Sequence, residues 1–225
     1  KAYNTFKAAN IRPSGNGFTG APVVAPDELD RKKGEMSWNN LEEMLAGFAY
    51  DAYYNHSEQA KKNYFLVWDY AIDQGFAFGS GMGTNHHYGY QVRKIYTTAW
   101  LMRDAIWKAP NRDNILSALI FWSALQETRI PFQYGRDELL DSWHTLLMAK
   151  TVAALLFVDE RERARALAGL SRWLSGSLQY SPGTIGGIKV DGTTFHHGGF
   201  YPAYTTGVLA MAGQYIALTN NTRYV

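Results

Sequence analysis

Two pairs of adjacent histidines, His86-His87 and His196-His197, each lie within a glycine-rich stretch of the 225-residue sequence. Imidazole exchanges protons near pH ~6.5, and glycine allows the backbone to come close to a ligand. Acid/base or ligand-binding chemistry is therefore expected at both histidine pairs. The alternative for each histidine is a structural role, in which the ring only hydrogen-bonds to carbonyl groups of its own loop.

The second histidine pair is followed by two tyrosines, Tyr201 and Tyr204, with Pro202 between them. An imidazole can accept a proton near neutral pH, and a phenol can donate a proton and take it back. His197 and one of these tyrosines can therefore form an acid/base pair if their side chains meet. Tyrosines at this spacing are equally compatible with ordinary helix packing.

Other motifs that carry chemistry do not occur in the sequence. The chain has no cysteine and no His-Glu-x-x-His pattern, so no metal site is predicted. A Gly-x-Ser-x-Gly nucleophile motif is also missing. The glycines at 79, 81 and 83 resemble a phosphate-binding loop only superficially, because the lysine and the preceding strand of that motif are not there.

Composition and charge narrow the classes of partner. A hydrophobic fraction of 46% and an aromatic fraction of 15% indicate a packed globular chain. The net charge of +2 is too small for the bulk attraction that non-specific nucleic-acid binders use, so no nucleic-acid partner is expected. The longest apolar runs, 116–125 and 151–158, are shorter than the ~18 residues that span a bilayer, and no membrane partner is expected.

Apolar residues recur at helical spacing along most of the chain, as in Leu41, Leu45 and Phe48 behind a cap at Ser37 or Asn39. Strand-like alternation is confined to a short candidate at 188–190. The predicted fold class is therefore all-α. The predicted helices are 37–55, 60–72, 90–107, 115–127, 139–157, 161–178 and 204–218.

The segments between these helices are unequal in length. Residues 1–36 are polar and rich in Gly and Pro, and they are predicted to form a lead-in segment or linker, with 37–225 as the helical domain. The long loops at 75–89 and 180–203 contain the histidine pairs. Antiparallel helices with their long loops collected at one end suggest an incomplete (α/α) toroid whose mouth holds the site.

Two stretches of the sequence resemble one family. Residues 191–204, Asp-Gly-Thr-Thr-Phe-His-His-Gly-Gly-Phe-Tyr-Pro-Ala-Tyr, resemble the catalytic segment of the chondroitin and hyaluronan lyases, polysaccharide lyase family 8, especially its chondroitin sulfate ABC lyase branch. That segment has Asp-Gly-Thr, a basic or aromatic residue, a His and a Tyr seven positions later, which match His197 and Tyr204. Residues 84–90, Thr-Asn-His-His-Tyr-Gly-Tyr, are similar to the His-His-aromatic-Gly-Tyr loop of the same branch, where related lyases have Asn-Trp-Trp. The likeness covers about residues 80–220.

The resemblance implies a glycosaminoglycan lyase acting on chondroitin or dermatan sulfate, with hyaluronan as a further candidate substrate. Such enzymes break the hexosamine-β(1→4)-uronate bond by β-elimination and leave an unsaturated uronate. The proton on carbon 5 is weakly acidic beside an ionised carboxylate, so donors near that carboxylate are required. His197 and Asn85 are the implied donors, and His87 is a further candidate.

Tyr204 is the implied leaving-group acid. In glucuronate the proton and the leaving oxygen lie on one face, so one ionised tyrosine can abstract and then donate. A phenol ionises near pH ~10 in water, and neighbouring positive charge must assist. Iduronate presents its proton on the opposite face, and His87 is the implied second base. Substrate contacts are expected from His86, His196 and Tyr201.

The resemblance also implies an anionic glycosaminoglycan partner, a monomer, and a secreted or periplasmic bacterial location, although no signal peptide can be read after Lys1. No cofactor is required by the sequence, and a Ca²⁺ or Mg²⁺ ion bridging the uronate carboxylate is a physically reasonable assistant. The family's later arginine and glutamate are not identifiable, because only Arg223 and no glutamate follow Tyr204. The chain is therefore expected to be an excerpt of a larger lyase with C-terminal β-sandwich domains.

Two alternatives remain at this point. A helical-toroid glycoside hydrolase would need two carboxyl groups about 5–10 Å apart, and the candidates are Asp137, Glu138, Asp141 and Asp191. A non-catalytic glycan-binding fragment would need no proton transfer at all.

Overall fold

The computed structural model describes residues 1–24, 35–80, 89–134 and 139–224. They form two compact units, Lys1–Trp122 and Ser123–Val225. Helices make up most of both units, which confirms the predicted all-α class. Among the described residues, no helix has the length and apolar character needed to cross a lipid bilayer.

The first unit begins with structure that the sequence did not predict. The described part of the segment 1–36 contains helix α1 (Ala2–Ala9) and an antiparallel hairpin of β1 (Arg12–Ser14) and β2 (Gly17–Thr19). The helix packs on the next one through Phe6 and Phe48, whose ring centroids are 5.4 Å apart. This short helix escaped prediction because only its two ends, Ala2 and Ala9, are buried.

The helices of the first unit follow the predicted order. They are α2 (Trp38–Tyr54), α3 (Glu58–Asp73), α4 (Arg93–Leu101), α5 (Arg103–Lys108) and α6 (Arg112–Trp122). Ser37 caps α2 as predicted: Asn40 N–H donates to Ser37 Oγ (3.4 Å), and the Ser37 N–H donates back to Asn40 Oδ1 (3.0 Å). The core contains Phe76 between Trp38 and Trp122, at centroid distances of 4.8 and 5.4 Å.

Two helices that were predicted as continuous are interrupted. The 90–107 helix is divided at Met102, whose backbone (φ −90°, ψ 7°) leaves the helical region. The 115–127 helix ends at Trp122, because Ala124 adopts a left-handed conformation (φ 55°, ψ 30°) before a 3₁₀ turn at Leu125–Arg129. Periodicity cannot detect either break, since the apolar spacing continues through both.

The second unit contains a helical segment with an irregular turn, a long helix, a small sheet and a final helix. These are α7 (Leu139–Asp141), a π turn (Ser142–Leu146), α8 (Leu147–Leu155), α9 (Glu160–Ser177), the antiparallel strands β3 (Gly187–Ile188), β4 (Thr194–His196) and β5 (Gly199–Phe200), and α10 (Pro202–Thr219). Asp159 caps α9 as its residue type predicts, since its Oδ1 accepts the N–H groups of Arg161 and Glu162, both at 2.9 Å.

The core of the second unit lies between the π-turn segment, α9 and α10. It includes Trp143, Trp173, Val208 and Tyr215 among its buried residues. Tyr204, in the first turn of α10, packs partly against this core. One side of the candidate acid is therefore held by buried apolar groups.

Candidate functional site

The second histidine pair lies at the tip of a β-hairpin. His196 pairs with Gly199 across β4 and β5, so His197 and Gly198 form a two-residue turn. Both turn residues have positive φ, 52° for His197 and 74° for Gly198, which is the signature of a type I′ turn. Histidine is one of the few side chains enriched at positive φ, and Gly198 satisfies the second position without strain. The turn places His197 in solvent.

The first turn of α10 brings two tyrosines beside the hairpin. Pro202 at the start of the helix is pre-set for a helical φ, and the Tyr201 N–H donates to Thr194 O of β4 (2.9 Å). Thr194 also hydrogen-bonds through its hydroxyl to the Thr205 hydroxyl. The sheet and the helix are thereby joined at one end.

Four aromatic rings form a connected cluster at this junction. The ring centroid of His196 lies 3.8 Å from that of His197, with the ring planes tilted by 39°, and 5.1 Å from that of Tyr204. Tyr201 lies 4.9 Å from Tyr204 and 6.1 Å from His197. The structure therefore brings together all the predicted site residues of the 191–204 stretch. Tyr201 is 36% exposed and Tyr204 is half-buried, so both can be reached from solvent.

His196 differs from the expectation that it contacts substrate. Its side chain is buried, with 1% of the residue exposed, and its Nε2 lies 3.3 Å from Oδ2 of the buried Asp141. A polymer cannot reach a ring in this position. The structure gives His196 a different task, because it connects the hairpin to the turn that begins after Asp141.

A buried lysine organises the loop that precedes the hairpin. The Lys189 ammonium donates to Ser181 Oγ (2.8 Å), Gly183 O (2.9 Å) and Ile185 O (2.6 Å), and it lies 4.6 Å from the Phe195 ring centroid. Burial lowers the pKa of Lys189, while the nearby Asp191 carboxylate opposes that shift. The side chain acts as an internal cation that gathers backbone oxygens around one point.

Asp191 also serves the loop. Its Oδ1 accepts the Thr193 hydroxyl (2.7 Å) and the Thr193 N–H (3.0 Å), and these bonds hold the pKa of Asp191 below its usual range. A carboxyl group that stays ionised in this way is a poor general acid. Asp191 is therefore a turn-forming residue of the Asp-Gly-Thr motif.

His144 is a member of this site that the sequence did not reveal as functional. It lies in the π turn, and its ring centroid is 6.1 Å from that of Tyr204. Turns of this type occur frequently at functional sites. The sequence shows only an unbroken helical periodicity over 139–157, so no signal in the apolar pattern marks the extra residue.

The other predicted site residues, Asn85, His86 and His87, lie outside the described residues. The same holds for Asp137 and Glu138 of the hydrolase alternative. Within 1–24, 35–80, 89–134 and 139–224, no group of three or more His, Cys, Asp or Glu side chains could hold a metal ion.

Comparison with known proteins identifies the family of the chain. Residues 1–225 match the family described as "Lyase, catalytic". The chain is 33% identical to a chondroitin sulfate ABC exolyase of Bacteroides thetaiotaomicron over 75% of its length, and 32% identical to a chondroitin sulfate ABC endolyase of Proteus vulgaris over 74%. It covers 17% and 16% of the lengths of these two relatives. The family match and this similarity together establish that the chain belongs to the lyase catalytic-domain family of the chondroitin sulfate ABC lyases, in polysaccharide lyase family 8.

Proposed function

We propose that this chain carries part of the active site of a glycosaminoglycan lyase that cleaves chondroitin and dermatan sulfate, with hyaluronan as a further candidate. The cluster of His197, Tyr201 and Tyr204 at the hairpin–helix junction carries the proposal. It presents an exposed imidazole and two reachable phenols on elements fixed by backbone hydrogen bonds. Preorganisation of this kind is what proton transfer at a sugar ring requires.

The proposed reaction is a β-elimination at the hexosamine-β(1→4)-uronate bond. For glucuronate, ionised Tyr204 removes the carbon-5 proton, and the C–H electron pair becomes the double bond between carbons 4 and 5. The bond from carbon 4 to the leaving oxygen breaks, and the same phenol returns its proton to that oxygen. The net change consumes no water and leaves Tyr204 ionised as before.

His197 is proposed to donate a hydrogen bond to the uronate carboxylate and so to stabilise the negative charge that develops there. Its place at the turn tip leaves the ring open to solvent and substrate. Tyr201 is proposed to contact the substrate beside it. Asn85 and His86 are proposed as further contacts on the basis of sequence alone.

A Ca²⁺ or Mg²⁺ ion is proposed only to assist the reaction, by neutralising the uronate carboxylate. Loss of activity in EDTA that added Ca²⁺ or Mg²⁺ restores would support this assistance. Full activity in EDTA would show that the reaction does not need a divalent ion.

Of the four carboxyl groups named for a hydrolase, the two that the structure describes are unsuited to that role. Asp191 is held ionised by Thr193, and Asp141 is buried beside His196. Neither carboxyl is placed to act as the general acid of a glycoside hydrolase. The two enzyme classes also differ in product, because only elimination creates an ultraviolet-absorbing double bond.

The first prediction concerns Tyr204→Phe in the natural full-length protein. We expect the rate of absorbance increase with chondroitin sulfate to fall by about 10²- to 10⁴-fold, because the phenol supplies both proton transfers. Binding of the polymer should persist, since the ring and its packing remain. The matched control is Tyr54→Phe, at an exposed tyrosine of α2, which should retain full activity.

Two results would contradict the proposal. If the unaltered protein releases reducing ends without the absorbing product, it is a hydrolase. If Tyr204→Phe loses polymer binding and any turnover in parallel, the residue belongs to a binding surface.

A further inference from the structure

Two side-chain hydrogen bonds hold the π turn at Ser142–Leu146. Lys150, which is fully buried, donates to Ser142 Oγ (2.9 Å), and Trp143 Nε1 donates to Ser177 Oγ of α9 (2.9 Å). The turn is therefore held from two sides, by α8 and by α9.

Both residues of this segment that carry acid/base groups are directed to the hairpin–helix junction. Asp141, just before the π turn, reaches His196 of β4, and the His144 ring reaches Tyr204 of α10. Asp141 and His144 are three positions apart, and in a regular α-helix they would also share a face. The extra residue of the π turn changes the direction of one side chain relative to the other. The end of α7 and the π turn thus each supply one side chain to the cluster.

Gly207 explains how the His144 ring can lie against α10. A Cβ atom at position 207 would be 2.5 Å from Cδ2 and 2.6 Å from Nε2 of His144. Only glycine leaves room for the imidazole in its present place, one turn beyond Tyr204 on the same helix. A larger residue would displace the ring, which is the movable end of a side chain, and would leave the backbone unchanged.

We propose that His144 is a positioning residue for the proton-transferring Tyr204: its ring, seated on Gly207, limits the directions that the phenol can take. This inference rests on the proposed lyase function. It assigns a task to a residue outside the two motifs that resemble the family. Because the ring contacts Tyr204 without being placed at the reacting bond, its loss should affect the chemical step more than substrate binding.

The test uses His144→Ala, Gly207→Ala and the double variant of the natural full-length protein, with kcat and KM measured from product absorbance. We expect each single variant to lower kcat by about 10- to 100-fold with KM changed by less than about threefold. The double variant should be no slower than His144→Ala, because a methyl group at 207 is harmless once the ring is gone. Gly213→Ala is the matched control on the same helix, where an added Cβ meets no atom within 4 Å, and its kcat should equal that of the unaltered protein.

Separate outcomes overturn the inference and the proposed function. An unaltered protein that yields no absorbing product refutes the lyase proposal. An active protein in which Gly207→Ala behaves like Gly213→Ala refutes the role of His144. A further loss of kcat in the double variant also refutes it, since the damage would then come from α10 itself.

Discussion

At the scale of single residues, His197 combines a chemical group with a demanding backbone conformation. It occupies the first position of a type I′ turn, where asparagine is the residue most easily accommodated. His197→Asn should therefore preserve the hairpin while removing the imidazole. The variant separates the chemistry of this position from its conformation.

For His197→Asn we expect kcat to fall by about 10²-fold or more, because the shorter amide cannot place its donor where the imidazole N–H is proposed to meet the uronate carboxylate. The melting temperature should remain close to that of the unaltered protein. An active His197→Asn protein would exclude His197 as the carboxylate donor.

The variant Gly198→Ala tests the conformation of the turn instead of its chemistry. A Cβ atom at positive φ should lower the free energy of unfolding by about 1–2 kcal/mol.

At the scale of elements, the loop before the hairpin depends on Lys189. The residue is 8% exposed, and its ammonium serves three closely placed oxygen atoms of 181–185. Lys189→Met would keep the length of the side chain but remove the charged donor to these oxygens. We expect a loss of about 2–4 kcal/mol in the free energy of unfolding, measured by urea denaturation.

The control for this prediction is Lys62→Met at an exposed position of α3, which should change the same free energy by less than about 0.5 kcal/mol. Equal stabilities of the two variants would show that the loop does not depend on the ammonium.

The elements also show what sequence patterns can and cannot predict. The long helices were predictable because their buried faces repeat at helical spacing. The caps at Ser37 and Asp159 were predictable because serine and aspartate are preferred at the N-cap position. The hairpin was missed because His-Gly is not a common turn pair, and positive φ at a histidine leaves no mark in the sequence. His144 was missed for a related reason: one extra residue within a helix changes the direction of a side chain without altering composition.

The sequence was enough to identify the motif residues, but not the side chains that surround them in the structure. Spacing alone left Tyr201 and Tyr204 as alternative partners of His197, and the family resemblance pointed to Tyr204. In the structure His197 and Tyr204 belong to one cluster of rings, linked through His196 and Tyr201. Spacing could not show that His196 is buried against Asp141, because that contact joins positions far apart in the sequence.

At the scale of the whole molecule, the two histidine pairs belong to different halves of the sequence. The proposed second base for iduronate is His87, which is outside the described residues, whereas Tyr204 alone is proposed to act on glucuronate. His87→Ala should therefore lower the rate on dermatan sulfate at least about tenfold more than the rate on chondroitin sulfate. Parallel rates on the two polymers would remove the two-base assignment.

The caged ammonium of Lys189 has one more consequence. A free metal cation held by a similar set of oxygen atoms would have to bind from solution. The fraction of protein carrying it would then depend on the ion concentrations in the medium. Here the positive charge is attached to the chain, so it cannot be lost by dilution or replaced by a competing ion. The segment leading to the hairpin therefore keeps its internal cation whatever salt surrounds the protein, for as long as the ammonium stays protonated and the second unit stays folded.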